Sequence, residues 1–255
     1  FIVIDYIWSN FRSKKGTKFF EKLRYLQLHT KIVLIMTASL IVIGALIIGG
    51  FEYNNPETLG TLHFHEKVLA SLFQSVTLRT AGFNTIAQKG LLEATQFICV
   101  IWMIIGGSSA GTAGGIKTTT LAVLLISMHS AFKGKNSLEV FERTIPVDLL
   151  QRAITITSAV VLTIILSTMI LSISEVGTAY RHDFLDLLFE SASAAGTVGI
   201  TTGITSSLSL IGKIIIGFCM FLGRLSPITL SVALNMQERK YKAAFKYPKE
   251  RVIIG

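Results

Sequence analysis

The chain has 255 residues, of which 51% are hydrophobic and only 15% are charged, and its mean hydropathy is +0.60. Because soluble domains carry about 25% charged residues, this composition excludes an ordinary soluble domain and favours a membrane protein. The net charge of +9 would suit a nucleic-acid-binding protein. The basic residues, however, are grouped before two apolar segments and at the C-terminus, which argues against that class.

Residues 1–31 are predicted to be the end of a preceding helix followed by a basic cytoplasmic linker. The stretch Phe1–Trp8 is largely apolar, and the linker behind it is rich in Lys and Arg. The chain begins without Met and shows no signal-peptide pattern. We therefore expect it to be part of a longer protein whose front portion precedes Phe1.

Two apolar windows are free of charge and long enough to cross a bilayer, for which roughly 20 residues suffice. They are Ile32–Phe51 and Ala153–Ser174. Lys and Arg are abundant before each window and at the C-terminus but scarce after each window. The positive-inside asymmetry makes the linkers 1–31 and 133–152 and the C-terminal segment 237–255 cytoplasmic. A basic tail that binds nucleic acid or lipid is the alternative.

The same order of elements occurs in residues 32–132 and again in residues 153–236. Each unit has a span, an acidic outer loop, a short amphipathic helix, a glycine-containing segment and a long apolar helix. Leu72–Ser75 (LFQS) matches Leu188–Ser191 (LFES). The sequence predicts an all-α membrane protein of repeated helix–pore helix–helix units with potassium-channel-like architecture. A pair of interfacial amphipathic helices is the alternative, but it leaves the glycine after each short helix unexplained.

A glycine-containing segment follows each short helix, which we place at about residues 67–79 and 183–195. The segments read RTAGFNT from residue 79 and GTVGITTG from residue 196. A cation-selectivity filter replaces the water shell of the ion with backbone carbonyl oxygens, and glycine permits the conformation that aims them into the pore. The predicted filter residues are Thr80, Ala81, Gly82, Phe83, Thr197, Val198, Gly199 and Ile200. The carbonyl oxygens expected to bind K⁺ are those of Thr80, Gly82, Thr197 and Gly199.

The second segment offers two candidates for the filter glycine. A gap-free alignment of the two units sets Gly82 against Val198, so one residue must be inserted in the second copy. Either Gly196 or Gly199 then matches Gly82. We favour Gly199, because it follows Thr-Val and precedes Ile-Thr-Thr.

The long helix that ends the first unit is interrupted between its apolar parts, 94–105 and 116–132. Each Gly in a helix interior costs about 1 kcal/mol relative to Ala, and unwound backbone at membrane depth must line a cavity. We predict a gating loop beneath the filter. Its residues are Gly106, Gly107, Ser108, Ser109, Ala110, Gly111, Thr112, Ala113, Gly114 and Gly115. A phosphate-binding loop fails because Ile116 separates the glycine from Lys117. A small-residue helix-packing face is the alternative.

Two cations at membrane depth are assigned to the gate. Lys117 closes the loop, and Arg224 lies in the string GRLSP of the last long helix. Such groups are costly in a bilayer and usually face a pore or a partner, and Arg224 has the donors to bind carbonyls of the loop. Snorkelling to the interface is the alternative for both. Pro227 should kink this helix.

The two cysteines, Cys99 and Cys219, are predicted to be buried thiols in apolar helices.

These features together resemble the potassium-uptake superfamily that includes the Trk, Ktr and plant HKT transporters. The matching strings are SVTLRTAGFNT, IIGGSSAGTAGGIKT, FESASAAGTVGITTGIT and GRLSP, and the resemblance covers the chain from end to end, most like a Ktr-type membrane subunit. It implies four such units around one pore, of which this chain supplies the third and fourth. It also implies that Gly82 and Gly199 are filter glycines and that residues 106–115 and Arg224 form the gate. Ser226 departs from the family, where many relatives have Gly.

The resemblance further implies a homodimer of pore subunits in the plasma membrane and a cytoplasmic nucleotide-binding ring as regulatory partner. We expect a K⁺ uptake pore subunit with K⁺ as its ion, Na⁺ as a candidate activator, no organic cofactor and no nucleic-acid partner. The basic linkers suit either a protein partner or anionic lipid. The alternative is a secondary carrier of another cation or small solute, such as a Na⁺ symporter, built on discontinuous helices. An enzyme is disfavoured, because the five His lie in loops or at helix ends without a carboxylate–histidine site.

Overall fold

The computed structural model describes residues 27–109, 111, 113–134, 138–141, 143–176 and 182–224. The α-helices in these ranges are α1 (Leu28–Glu52), α2 (Phe64–Thr77), α3 (Glu93–Ile104), α4 (Thr118–Phe132), α5 (Val147–Ser174), α6 (Phe184–Ala195) and α7 (Leu210–Arg224). Two short 3₁₀ turns are Gln88–Gly90 and Ile204–Ser206. The expectations for Phe1–Trp8, Pro227, Ser226 and residues 237–255 lie outside the described residues, as do loop residues Ala110 and Thr112.

Two of the described helices, α1 and α5, are long and apolar enough to cross a membrane. They contain the windows predicted from Ile32 and Ala153 but begin earlier, at Leu28 and Val147. The apolar-window criterion stops at the first charge, whereas a helix continues its hydrogen bonding through a polar turn at the interface. Large apolar side chains on both helices are exposed, such as Leu46 at 70%. Such faces suit lipid or further protein.

The short helices α2 and α6 have 14 and 12 residues. At about 1.5 Å per residue they extend for roughly 20 Å, less than the roughly 30 Å of a bilayer core. α2 begins three residues before the predicted Lys67 because His63 caps it, and the Glu66 carboxylate accepts from the His63 N–H at 2.9 Å. α6 begins one residue after the predicted Asp183.

The apolar segment after the first glycine is split between α3 and α4. Its two parts are joined by a parallel bridge between Ile105 and Ile116. The Gly106 N–H donates to the Ile116 carbonyl at 2.9 Å, and the Ile116 N–H donates to the Ile104 carbonyl at 2.8 Å. α4 begins at Thr118 and not at the predicted Ile116, because this bridge already uses the Ile116 backbone.

The linker 133–152 corrects the all-α prediction, because it contains an antiparallel hairpin. Strand β1 is Leu138–Val140 and strand β2 is Arg143–Ile145, with Leu138 opposite Ile145. Both of these paired side chains are buried. The hairpin turns at Phe141, which has a φ of 50°. Three-residue strands are too short to give a clear period-2 pattern among so many apolar residues.

Close packing at small residues places the elements around the glycine-containing segments. α1 packs on α2, and α6 packs on α3, α5 and α7. A Cβ on Gly44 of α1 would lie 2.4 Å from the Ser75 Oγ of α2. A Cβ on Gly223 of α7 would lie 2.1 Å from the carbonyl oxygen of Ala195, which ends α6. The short helices are therefore held against their neighbours at backbone distance.

The core around the short helices combines apolar side chains with buried polar ones such as Gln74, Ser75 and Glu190. Its fully buried side chains include Phe189, Met103 and Leu171. The prediction for the two thiols is confirmed, since Cys99 and Cys219 are buried within α3 and α7.

Candidate functional site

The two glycine-containing segments share an unusual backbone pattern. Thr80 and Gly82 have φ of 70° and 77°, and Thr197 and Gly199 have φ of 53° and 85°. Carbonyls of an ordinary extended strand alternate in direction, and reversing φ at every second residue turns them toward one side. A positive φ is strained for a β-branched residue such as Thr, and strain of this kind gathers at functional sites. Gly196 has a φ of −71°, so Gly199 is the conformational equivalent of Gly82.

The two segments lie side by side with their backbones nearly in contact. A Cβ on Gly82 would lie 2.8 Å from the Val198 carbonyl oxygen, and a Cβ on Gly199 would lie 3.7 Å from the Cα of Gly82. A side chain at Gly82 would therefore be strained by its φ and also collide with the second segment. Within the described residues these two segments, far apart in the chain, are brought together at their glycines.

A hydroxyl near the end of each short helix holds the segment that follows. The Phe83 N–H donates to the Thr77 Oγ1 at 3.0 Å, and the Thr77 hydroxyl donates to the Phe83 carbonyl. In the second unit the Ile200 N–H donates to the Ser193 Oγ at 3.0 Å. Phe83 and Ile200 each follow their glycine directly. The sequence analysis missed both clamps, whose only signal is a hydroxyl residue a few positions before each glycine.

The loop between α3 and α4 reaches the second segment. The Gly114 N–H donates to the Thr197 Oγ1 at 2.9 Å. A Cβ on Gly114 would lie 2.6 Å from that oxygen and 2.8 Å from the Gly196 carbonyl oxygen. Only a residue without a side chain permits this approach. The structure thus brings the predicted loop against the predicted filter.

Lys117, at the end of this loop, is half-buried and donates hydrogen bonds into it. Its Nζ donates to the Gly111 carbonyl at 3.3 Å and to the Ala113 carbonyl. Arg224 ends α7 and lies close enough to Lys117 for the two positive charges to repel each other. The structure therefore brings both predicted cations to the loop region, and Lys117 binds loop carbonyls as the sequence analysis expected of Arg224.

One buried carboxylate in each unit joins two of its helices, and the sequence analysis missed both. The Leu92 N–H, just before α3, donates to the Glu52 Oε1 at 3.0 Å. The Ser209 N–H, just before α7, donates to both oxygens of Glu175 at 3.2 Å. Each acid thus ties the end of a long helix to the start of the next apolar helix, where the helix dipole favours a negative charge. The same kind of contact therefore occurs in residues 32–132 and in residues 153–224.

The oxygens gathered at the two segments are backbone carbonyls and hydroxyls. Among the described residues there is no group of three or more His, Cys, Asp or Glu side chains that could hold a metal ion. Carbonyl and hydroxyl oxygens are hard ligands, and alkali cations are bound in this way in filters. Oxygen ligands of this kind suit a cation such as K⁺ better than a soft metal ion.

Comparisons with known proteins agree on one family. Residues 2–243 match the family model described as TrkH, cation transport protein. The chain is 38% identical to the potassium/sodium uptake protein NtpJ of Enterococcus hirae, over 92% of this chain and 52% of the relative. It is 37% identical to the Ktr system potassium uptake protein B of Bacillus subtilis, over 92% of this chain and 51% of the relative. The chain thus spans about half the length of the curated relatives it matches.

A solved structure supports the fold. The potassium transporter TrkH of Vibrio parahaemolyticus superposes with a TM-score of 0.62 and 18% sequence identity. The match covers 81% of this chain and 44% of that chain. At this identity the likeness establishes the fold alone.

Proposed function

The chain belongs to the TrkH family of cation transport proteins, and from this premise we propose that it forms part of a K⁺ uptake pore in the plasma membrane. Relatives of this family carry names such as potassium uptake protein, and among the described residues α1 and α5 could span a bilayer. The two basic linkers are then cytoplasmic, and the glycine-containing segments approach from outside.

One observation carries the proposal: the same alternation of positive φ occurs in both segments, at Thr80 and Gly82 and at Thr197 and Gly199. In the proposed pore these are the filter strands, and the carbonyls that the reversed φ angles orient bind dehydrated K⁺. The C-terminal ends of α2 and α6 carry partial negative charge, which favours a cation nearby.

The loop between α3 and α4 is the proposed gate. Among the described residues its hydrogen bond to the filter runs from Gly114 to Thr197, and its base is held by the bridge between Ile105 and Ile116. A single hydrogen bond contributes about 1 kcal/mol net, so breaking this hydrogen bond requires little free energy. The loop can therefore swing away from the filter while α3 and α4 stay joined.

The pore proposed here needs more filter segments than this chain supplies. Two segments surround an ion on only part of its circumference, and K⁺ requires carbonyls on all sides. The remaining segments come from other parts of the same polypeptide or from a second copy. A homodimer, a cytoplasmic nucleotide-binding ring and activation by Na⁺ belong to this proposal through the family resemblance.

A secondary carrier is the second candidate, favoured by the interruption between Ile104 and Thr118, since carriers bind substrate at broken helices. A carrier binds its solute at one midplane site and saturates at low concentration. A pore of the proposed kind reaches saturation only at a much higher K⁺ concentration.

Uptake of radiolabelled Rb⁺ by cells that lack their own K⁺ uptake tests the proposal. The polypeptide that contains this chain should restore growth at low K⁺ and Rb⁺ uptake that excess K⁺ inhibits. In a Gly199→Ser variant excess Na⁺ should inhibit this uptake more strongly than in the wild type, whereas the Gly217→Ser variant should behave as the wild type, because a Cβ on Gly217 meets nothing within 4 Å. Absence of K⁺ and Rb⁺ uptake by the folded wild-type protein would contradict the proposed function.

A further inference from the structure

A side chain of each short helix pairs with the 3₁₀ turn that follows its segment. In the first unit the Gln74 Nε2 donates to the Gln88 Oε1 at 2.7 Å, and the Gln88 Nε2 donates to the Gln74 Oε1 at 3.2 Å. In the second unit the Thr205 hydroxyl donates to the Glu190 Oε1. Gln74 and Glu190 hold the same place in LFQS and LFES, so the two contacts are equivalent.

The two equivalents differ in chemistry, because Gln74 carries a neutral amide and Glu190 carries a carboxyl group. Gln74 is neutral and buried, and both polar atoms of its side-chain amide are paired. Glu190 is only 4% exposed, and its Oε2 is buried without a hydrogen-bond partner among the described residues. Burying an incompletely paired carboxylate is unfavourable, and a Gln would accept from Thr205 equally well. The fold alone therefore does not explain an acid at this position.

A short chain of hydroxyls joins Glu190 to the outer end of the second segment. The Thr205 Oγ1, which donates to Glu190, lies 2.9 Å from the Thr201 Oγ1. The Gly203 N–H donates to the same Thr201 oxygen at 2.9 Å. Thr201 is two residues beyond Gly199. The acid thus acts on the backbone that leaves the predicted filter.

We propose that Glu190 is a specificity-determining positioning residue of the second filter segment. Its carboxylate braces Thr205 and Thr201 and places beside the ion path a negative charge that Gln74 does not supply in the first unit. The two filter segments are then unequal, and the second attracts the entering cation more strongly. This inference rests on the proposed function as a K⁺ pore.

The test uses the full polypeptide reconstituted in liposomes, with K⁺ flux measured against K⁺ concentration and against competing Na⁺. Glu190→Gln keeps the shape and the acceptor for Thr205 but removes the charge. It should raise the half-saturating K⁺ concentration about three- to tenfold, because that is the effect expected from removing one partly screened charge near the ion path. The maximal flux should change less. Glu190→Asp keeps the charge and should stay within about twofold of the wild type.

The matched variant is Gln74→Glu, which adds the charge at the equivalent place of the first unit. It should lower the half-saturating K⁺ concentration. If Glu190→Gln does not fold, this variant tests the effect of the charge instead. The Gln88 Nε2 can still donate to one oxygen of the new carboxylate, whereas the other oxygen replaces the donor to the Gln88 Oε1, so the folding of this variant is measured in parallel.

Three results would overturn the inference. One is wild-type K⁺ dependence and Na⁺ competition in Glu190→Gln, and another is an equal effect of Glu190→Asp and Glu190→Gln, which would make shape the cause. The third is an unchanged half-saturating K⁺ concentration in a folded Gln74→Glu protein. With K⁺-selective flux in the wild type, these results leave the proposed function standing. Absence of K⁺ flux in the wild type would instead remove the proposed function and this inference together.

Discussion

The Gly114 N–H of the loop between α3 and α4 donates a hydrogen bond to the Thr197 Oγ1 of the second glycine-containing segment, at 2.9 Å. The two residues are 83 positions apart in the chain. A side chain therefore connects the proposed gate to the proposed filter, while the Thr197 carbonyl stays free of this contact to bind an ion. Loosening the loop and altering selectivity are then separable by mutation.

Thr197→Val should raise basal K⁺ flux, because Val has the shape of Thr but cannot accept from Gly114. The lost hydrogen bond is worth about 1 kcal/mol, so the open population should increase about fivefold when the loop is mostly closed. Thr197→Ser keeps the hydroxyl and is the control. Flux is measured in liposomes at one K⁺ gradient. Equal flux from Thr197→Val and the wild type would contradict the role of this contact.

Lys117→Met should also raise basal flux and weaken regulation. The substitution removes the donor to the Gly111 and Ala113 carbonyls but keeps an apolar stem of similar length. Lys133→Met is the matched control, since Lys133 is an exposed residue just after α4. The measurement is Rb⁺ uptake with protein abundance determined in parallel. The assignment fails if both substitutions change uptake equally.

Thr77→Val should reduce the preference for K⁺ over Na⁺, with little change in protein abundance. The Thr77 side chain makes both hydrogen bonds to the Phe83 backbone, one residue beyond Gly82. Thr77→Ser preserves them and should behave as the wild type. Competition of Na⁺ with Rb⁺ uptake reports the preference. A Thr77→Val protein with unchanged competition would show that this clamp does not shape the filter.

Glu52→Gln should destabilise the protein by about 2–3 kcal/mol, because the new amide NH₂ meets donors. The Glu52 Oε2 accepts from the Asn55 Nδ2 and from the Thr58 hydroxyl, both at 2.6 Å, and Oε1 accepts from the Leu92 N–H. Glu57→Gln, at an exposed position, should change stability by less than about 0.5 kcal/mol. Thermal unfolding of the detergent-solubilised protein measures both. Equal unfolding midpoints would refute the structural role of Glu52.

Hydropathy and glycine positions were sufficient to predict the long helices, the short helices and the interruption before Thr118, because these depend on local composition. The contacts that hold the site together are long-range and have no local signature. In the sequence Glu52 and Glu175 belong to the acidic segment after each span. In the structure the carboxylate of each accepts a hydrogen bond from the start of the next apolar helix. The hairpin at Leu138–Ile145 was missed for a similar reason. A three-residue strand is stabilised by the strand it pairs with and is too short to show a periodic pattern in the sequence.

The bridge between Ile105 and Ile116 also changes how the loop should be tested. Parallel pairing needs a connection of about a dozen residues, and the loop is close to that limit. Deleting residues 108–113 would shorten this connection well below that length and strain the bridge, so point substitutions are the cleaner test.

The central claim is that the segments at Gly82 and Gly199 form a K⁺-selective filter. The most direct measurement is the flux ratio of K⁺ to Na⁺ through the reconstituted full polypeptide, for Gly82→Ser, Gly199→Ser and the control Gly217→Ser. Both segment glycines have positive φ, which Ser adopts with strain, whereas Gly217 has open space in α7. Because a distorted carbonyl ring discriminates poorly between the two ions, we expect about a tenfold or larger loss of the ratio in each segment variant and no loss in the control. A ratio in both segment variants equal to that of Gly217→Ser would contradict it.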